Sequence, residues 1–384
     1  MEAYFDNSAT TRCIPEVREI MNKVYDEDYG NPSSLHMMGV RAEKYLKDAR
    51  ETISKTLKVN EKEILFTSGG TEANNMAVLG VAMANKRSGN HIITSSIEHA
   101  AIIEPMKFLE ENGFRVTYLP VDDKGVVDLE ALKEAVCDDT ILVSIMAVNN
   151  EIGTIEPFEE ISRIVKEKNP NAYFHVDAIQ AFGKLRIHPK RMGIDMLSVS
   201  GHKINGPKGV GFLYINEKVK IKPLILGGGQ QKGMRSGTDN VPGVAGLSKA
   251  AEIAYTDFEK KQQYLYDLRN RMIAGLKEIE GASVNGYDDN TAAPHIVSVS
   301  FKNVRSEVLL HALEERGIYV SAGSACSSNK PAPSRTLTNI HASKEVIGSS
   351  VRISFSCYNT ASEVDYCLDT LKEIIPVLQK YVRK

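Results

Sequence analysis

Residues 140–148 read Thr-Ile-Leu-Val-Ser-Ile-Met-Ala-Val and carry no charge. A run this short and this apolar is a strand buried on both faces, and such strands belong to a mostly parallel sheet covered by helices. Strand-like runs also stand at 63–67, 91–95, 116–120, 173–177, 195–200 and 210–215. Helical patterns surround them at 41–57, 76–85, 129–136 and 161–168. The alternation predicts an α/β fold. After it comes a long, charge-rich helical stretch at 242–276, placed as a bridge between domains. A strand at 296–301, a helix at 307–315, a strand at 351–355 and a closing helix at 361–381 then predict a small α+β domain. A chain of 384 residues suits two domains better than one core. The division expected is a large domain at 14–255, and a small domain made of 1–13 and 256–384.

The ends of the strands carry the chemistry. In an α/β sheet, ligands gather beyond the carboxyl ends of the strands. Ser200-Gly201-His202-Lys203 follows the run 195–200 and is closed by Gly206-Pro207-Lys208-Gly209. Lys203 is thereby held among small polar donors in a tight connection, the setting of an amine that gives up its proton, and Ser200 and His202 can hold a phosphate. An ordinary surface lysine in a turn is the other reading, and it is the one adopted for Lys208. Gly69-Gly70-Thr71 lies between strand 63–67 and the next helix, where bare backbone N–H groups and the helix dipole favour an anion. Gly70 and Thr71 are the expected phosphate contacts, against the alternative of a plain helix cap. His99 stands just past strand 91–95, where its ring can stack on a planar group and handle protons. Asn149 and Asn150 end the run 140–148, and carboxamides there are poor core residues and good ligands. Asp177 ends the run 173–177, where a carboxylate is costly unless it has a partner. The alternative is a helix-capping role.

Three further features lie downstream. Gly227-Gly228-Gly229 opens a loop that runs through Arg235-Ser236-Gly237-Thr238. No Gly-Lys-Ser/Thr follows, so it is not a Walker motif. Cys326 sits among Ser, Gly, Ala and Pro residues, which is not the packing of a core cysteine. An accessible loop on which its thiolate can react is expected. Arg352 interrupts an apolar strand, and a buried arginine wants a carboxylate held at two points.

Taken together, Ser200-Gly201-His202-Lys203 with Gly206-Pro207-Lys208-Gly209, Gly323-Ser324-Ala325-Cys326, and the motifs around Gly70, His99 and Asp177 resemble the cysteine desulfurases. These are fold type I, pyridoxal-phosphate (PLP) enzymes of the aminotransferase class V group. The likeness runs nearly end to end. It implies a large domain with a mixed, mostly parallel sheet, and PLP carried by Lys203. It implies Asp177 at the pyridine nitrogen, Gln180 at the ring hydroxyl and His99 stacked on the ring, with Gly70, Thr71, Ser200 and His202 on the phosphate. Asn150 is implied to touch cofactor and substrate, Arg352 to take the carboxylate of L-cysteine, and residues 4–11 to line the entrance, although a plain N-terminal arm fits those residues equally. Cys326 is implied to take the sulfur as a persulfide, and Thr238 to reach the phosphate of the other site in a homodimer. The implied acceptors are an iron–sulfur scaffold or a tRNA-thiolation protein. No resident metal is implied, Cys326 being at most a transient iron–sulfur ligand. One departure stands out: the usual pattern has Gly-Arg where this chain has Ser356-Cys357, which makes Cys357 a rival nucleophile.

Composition excludes other classes. Lys and Arg (47) nearly balance Asp and Glu (49), so no overall field points to nucleic acid or to a membrane surface. No stretch approaches a membrane span, and the five cysteines are scattered without a Cys-x-x-Cys pair, so a reducing cytoplasm is expected. The alternatives weighed are another fold type I enzyme, such as a selenocysteine lyase or an aminotransferase, and a catalytically silent sulfur-carrier subunit. Cys326 argues against an aminotransferase, and the combination of Lys203, Asp177, His99 and Cys326 against a silent subunit.

Overall fold

The computed structural model describes residues 1–322 and 333–381. Cys326 lies outside the described residues. The chain opens with a two-residue strand, β1 (Ala3–Tyr4), and then builds seven strands in one sheet. These are β2 (Ile64–Thr67), β3 (His91–Ser95), β4 (Arg115–Leu119), β5 (Thr140–Met146), β6 (Tyr173–Asp177), β7 (Met196–Ser200) and β8 (Gly211–Ile215). Their spatial order is β2-β8-β7-β6-β5-β3-β4. The pairs β7–β6, β6–β5, β5–β3 and β3–β4 are parallel, whereas β8 runs antiparallel to both its neighbours. All seven residues of β5 are buried, as its uncharged run requires. Two apolar clusters cover the faces of this sheet. One includes Ile145, Val176, Val199 and Phe212, the other Leu142, Met196 and Leu213, packed under the helix Gly70–Asn85.

A second sheet has the order β12-β13-β10-β9 and is antiparallel throughout. Its strands are β9 (Ala282–Asn285), β10 (Ile296–Phe301), β12 (Ser321–Ala322) and β13 (Ser350–Ser354), while β11 (Ile318–Tyr319) pairs in parallel with β1. It has its own core, built from Val297, Val299, Val351 and Ile353 with the helices Phe258–Lys277 and Ala361–Leu378. Phe5 joins that core, and Asp6 bridges in parallel to Ser354. The N-terminal segment thus runs from the small sheet toward the large one.

The strands fall close to the expected positions, and several helices do not. The helix expected at 76–85 begins at Gly70, because the first turn follows β2 almost at once. This brings Gly70 and Thr71 into the helix N-terminus itself. The stretch 242–276 is two helices, Val241–Tyr255 and Phe258–Lys277. Asp257 separates them in a left-handed conformation (φ 50°), which no helix can run through. The helix Pro15–Asp26 has no counterpart in the sequence reading, although a proline at its first position marks its start.

Candidate active site

The register of the central strands lines up their carboxyl ends: Met146 pairs with Asp177, and Asp177 with Ser198. Beyond these ends lies a cavity of about 280 Å³. Gly70, Thr71, His99, Asn150, Asp177, Gln180, Ser200, His202, Lys203 and Arg352 line it, with Ser8 and Ala9 of the N-terminal segment. Nearly every residue singled out at a strand or helix end therefore faces one space. Thr238 is exposed and is not among the residues lining it.

Asp177 is the last residue of β6 and is 5% exposed. Its Oδ1 accepts the Ile179 N–H at 3.0 Å and its Oδ2 accepts the Asn74 side-chain amide at 2.7 Å. Burial pushes its carboxyl up, against the pull of these two donors. Asn74 escaped the sequence reading. The available signal was an asparagine on the buried face of an apolar helix, one that must find a partner there.

Lys203 ends the single turn Gly201–Lys203 that follows β7. Its Nζ donates to the backbone carbonyls of Ser8 and Ala9, the latter at 2.7 Å. His202 beside it faces Thr10 Oγ1 at 3.1 Å, and burial together with the Lys203 charge pushes its imidazole down to about 4. His202 is thus neutral at neutral pH. A Cβ on Gly70 would lie 2.1 Å from Ile179 Cδ1, so glycine is what lets the helix N-terminus approach the cavity wall.

His99 caps the helix Ala100–Glu111: its Nδ1 accepts the Ala101 N–H at 3.1 Å. An accepting Nδ1 leaves the proton of the neutral ring on Nε2. Burial, reinforced by the Lys203 charge and opposed by Asp177, holds the ring's pKa down, so the neutral form is favoured. The two carboxamides after β5 separate in role. Asn149 is fully buried and braces the turn, its Oδ1 accepting the N–H groups of Glu151 and Ile152, while Asn150 faces the cavity. Gln180 Nε2 donates to the Ser8 carbonyl at 2.9 Å, and its Oε1 faces Nε2 of the buried His295 at 3.3 Å. Arg352, 4% exposed, donates from Nη1 to the Asn150 carbonyl and from Nη2 to Asp6 Oδ1, both at 2.8 Å. Asp6 lies in the segment implied to line the entrance, but its pairing with Arg352 was not foreseen, and His295 was missed altogether.

A second, much smaller cavity of about 40 Å³ lies on the other side of Lys203, lined by Lys184, Ser356 and Cys357. Burial pushes the Cys357 thiol up. Lys184 is buried, its Nζ donates to the Lys203 carbonyl, and burial followed by the Lys203 charge pushes its pKa down to about 7. Between pH 7 and the ordinary lysine range, the unfolded chain holds a proton at Lys184 that the folded chain does not. That contribution therefore favours folding as pH rises above 7, and the full cost of burying the amine is felt below it. Lys184→Met removes this dependence. The gain in unfolding free energy of the cofactor-free protein between pH 7 and pH 9.5 should be smaller in the variant by roughly 2–3 kcal/mol. Parallel urea-unfolding profiles for the two proteins would show that Lys184 titrates normally.

Among the described residues, no group of three or more His, Cys, Asp or Glu side chains could hold a metal ion. No described helix is long and apolar enough to cross a membrane.

The chain is similar to known proteins over nearly its whole length. The family model for the aminotransferase class-V group matches residues 3–367. A cysteine desulfurase IscS of Clostridium botulinum is 48% identical over 376 residues, covering 97% of this chain and 94% of its own. One from Methanosarcina thermophila is 46% identical, covering 98% of this chain and 92% of its own. Among solved structures, one titled NifS-like protein superposes with a TM-score of 0.93 at 43% identity, covering 98% of this chain and all of the other.

Proposed function

This chain belongs to the aminotransferase class-V family and is a PLP-dependent cysteine desulfurase with the fold type I architecture, and from that premise we propose how its own residues divide the work. The substrate is L-cysteine, and its sulfur passes to an acceptor. The observation that carries the residue assignment is the convergence of Lys203, Asp177, His99 and Arg352 on one cavity.

The residues present fit the cofactor. A buried carboxylate at Asp177 suits a protonated ring nitrogen, and the backbone N–H groups at Gly70 and Thr71 with Ser200 and neutral His202 suit a phosphate. Gln180 has an amide hydrogen to spare for a ring hydroxyl, and His99 a flat face for the ring. Bound there on Lys203, PLP supplies the electron sink that makes the Cα–H bond of an amino acid labile. Asp177 keeps the proton of the ring nitrogen in place. Lys203 is the base that moves the Cα proton. Arg352 and Asn150 orient the substrate carboxylate. His99, with its proton on Nε2, acts as a hydrogen-bond donor into the cavity in its neutral form. The Cys326 thiolate attacks the substrate sulfur. The Cβ–S bond breaks with its electron pair left on the carbon fragment, which takes up a proton at Cβ and regains one at Cα from Lys203 to become alanine, and the sulfur stays on Cys326 as a persulfide.

The chain works as a homodimer in this reading, with exposed Thr238 reaching the partner's phosphate site. Its acceptor is an iron–sulfur scaffold or a tRNA-thiolation protein, and its compartment is the reducing cytoplasm. The large unit is 14–255 and the small unit 1–13 with 256–384. The separate apolar core under the small sheet supports that division. The assay that tests the chemistry is alanine release from L-cysteine with a thiol reductant and no keto acid. Release only when a keto acid is added would mean transamination instead.

Arg352→Lys should raise the half-saturating concentration of L-cysteine at least about tenfold and leave the visible spectrum of the bound cofactor unchanged. Lysine keeps the charge and loses the planar two-point grip. An unchanged half-saturation value would make Arg352 a structural residue.

A further inference from the structure

Asp6 is the one acidic side chain paired with Arg352 among the described residues, and there its carboxylate bonds to no other side chain. The pair is largely withdrawn from water, the side chains being 5% and 23% exposed. Asp6 is not carried to this place by the ion pair. Its backbone bridges to Ser354, the Ser8 N–H donates to Ser354 Oγ at 2.8 Å, and the Asn7 amide donates to the Ser354 carbonyl at 2.9 Å. The Asp6 carbonyl accepts the Ala9 N–H at 3.0 Å. The segment would hold the carboxylate beside Arg352 even if the two did not attract.

The division of the guanidinium matters. Nη1 is tied to a neutral acceptor, the Asn150 carbonyl. Nη2 is held by Asp6, and Nε is buried with no hydrogen-bond partner among the described residues. Nε and Nη2 together form the side-on edge with which an arginine grips a carboxylate at two points. On that edge Nε is closed off from solvent without a partner among the described residues, and Nη2 is turned to a carboxylate of this chain.

We propose that Asp6 is a resident competitor at the carboxylate anchor: an amino acid must take Nη2 from Asp6 to gain its two-point grip, and Asp6 reclaims it as the product leaves. This rests on the reading of Arg352 as the substrate carboxylate's anchor. Asp6 thereby weakens the hold on L-cysteine and on alanine alike, since both present the same carboxylate, and it speeds product departure. Asparagine at this position keeps the shape and a neutral acceptor but removes the competing charge, so Asp6→Asn is the informative change.

The test is calorimetric titration of L-alanine into the PLP-loaded wild type, Asp6→Asn, Arg352→Ala and the double variant. The expected result is binding about tenfold tighter in Asp6→Asn, the scale of one charge-assisted hydrogen bond freed from competition. The KM for L-cysteine should fall in parallel without a matching rise in kcat. In the Arg352→Ala background, Asp6→Asn should no longer tighten alanine binding. Equal or weaker alanine binding by Asp6→Asn in the presence of Arg352 overturns the proposal and makes Asp6 a simple orienting partner. Arg352→Ala binding alanine like the wild type would instead overturn the anchor reading itself. Should Asp6→Asn not fold, Asp6→Ser removes the same charge and carries the same expectation.

Discussion

Lys203→Ala abolishes covalent retention of PLP after borohydride treatment and lowers the rate of alanine formation from L-cysteine by on the order of 10³-fold or more. Two losses combine. The amine that attaches the cofactor disappears, and so does the base that moves the Cα proton, a role worth roughly 10²–10⁴-fold by itself. Among the described residues, no other amine lines this cavity. It ends the turn after β7, faces Asp177, His99 and Arg352 across the cavity, and is held by the carbonyls of Ser8 and Ala9. Lys184 is the nearest rival, but its amine is turned to the Lys203 carbonyl and lines the small cavity behind. The variant should still bind PLP reversibly, since Gly70, Thr71, Ser200 and His202 are untouched. Borohydride fixation of PLP to the Lys203→Ala chain at the wild-type yield would move the assignment to another lysine.

Cys326→Ser separates the two halves of the reaction. Cysteine binding and removal of the Cα proton need the cavity residues, and these remain. Sulfur abstraction needs a nucleophile at the substrate sulfur, and a serine hydroxyl is a far poorer one than a thiolate at neutral pH. Spectral change of the cofactor on mixing with L-cysteine should persist, while steady alanine release falls by roughly 10³-fold. Cys357→Ser should retain most of the activity. Burial pushes the Cys357 thiol up and so away from the reactive thiolate, and the residue lines the small cavity behind Lys203 rather than the main one. Ser356 and Cys357, where the usual pattern has Gly-Arg, line the small cavity behind the lysine.

What the sequence made legible follows from where its signals lie. Strands such as β5 and β6 are short uncharged runs, and their ends carry Asn150 and Asp177 in plain view. Once the strands are known, the shared direction of β2, β3, β5, β6 and β7 brings those ends together, which is why nine of the ten residues line one cavity, while Arg352 reaches it from β13 of the small sheet. The second partner of each contact was not legible. Asn74 under Asp177, Asp6 on Arg352 and His295 against Gln180 come from distant segments, and only the fold makes them neighbours. The division of labour between Asn149 and Asn150 was hidden for a related reason. Adjacent carboxamides look alike until one is turned inward to brace the backbone. The break at Asp257 was missed because a helical pattern on both sides masks a single left-handed residue.

The central claim is that sulfur leaves L-cysteine onto Cys326. Mass spectrometry of peptides after a single turnover with sulfur-labelled L-cysteine, with thiols blocked at once, tests it directly. The account predicts one added labelled sulfur on the peptide that carries Cys326, and none on the peptide of Cys357. Label on Cys357, or normal turnover by Cys326→Ser, would contradict it.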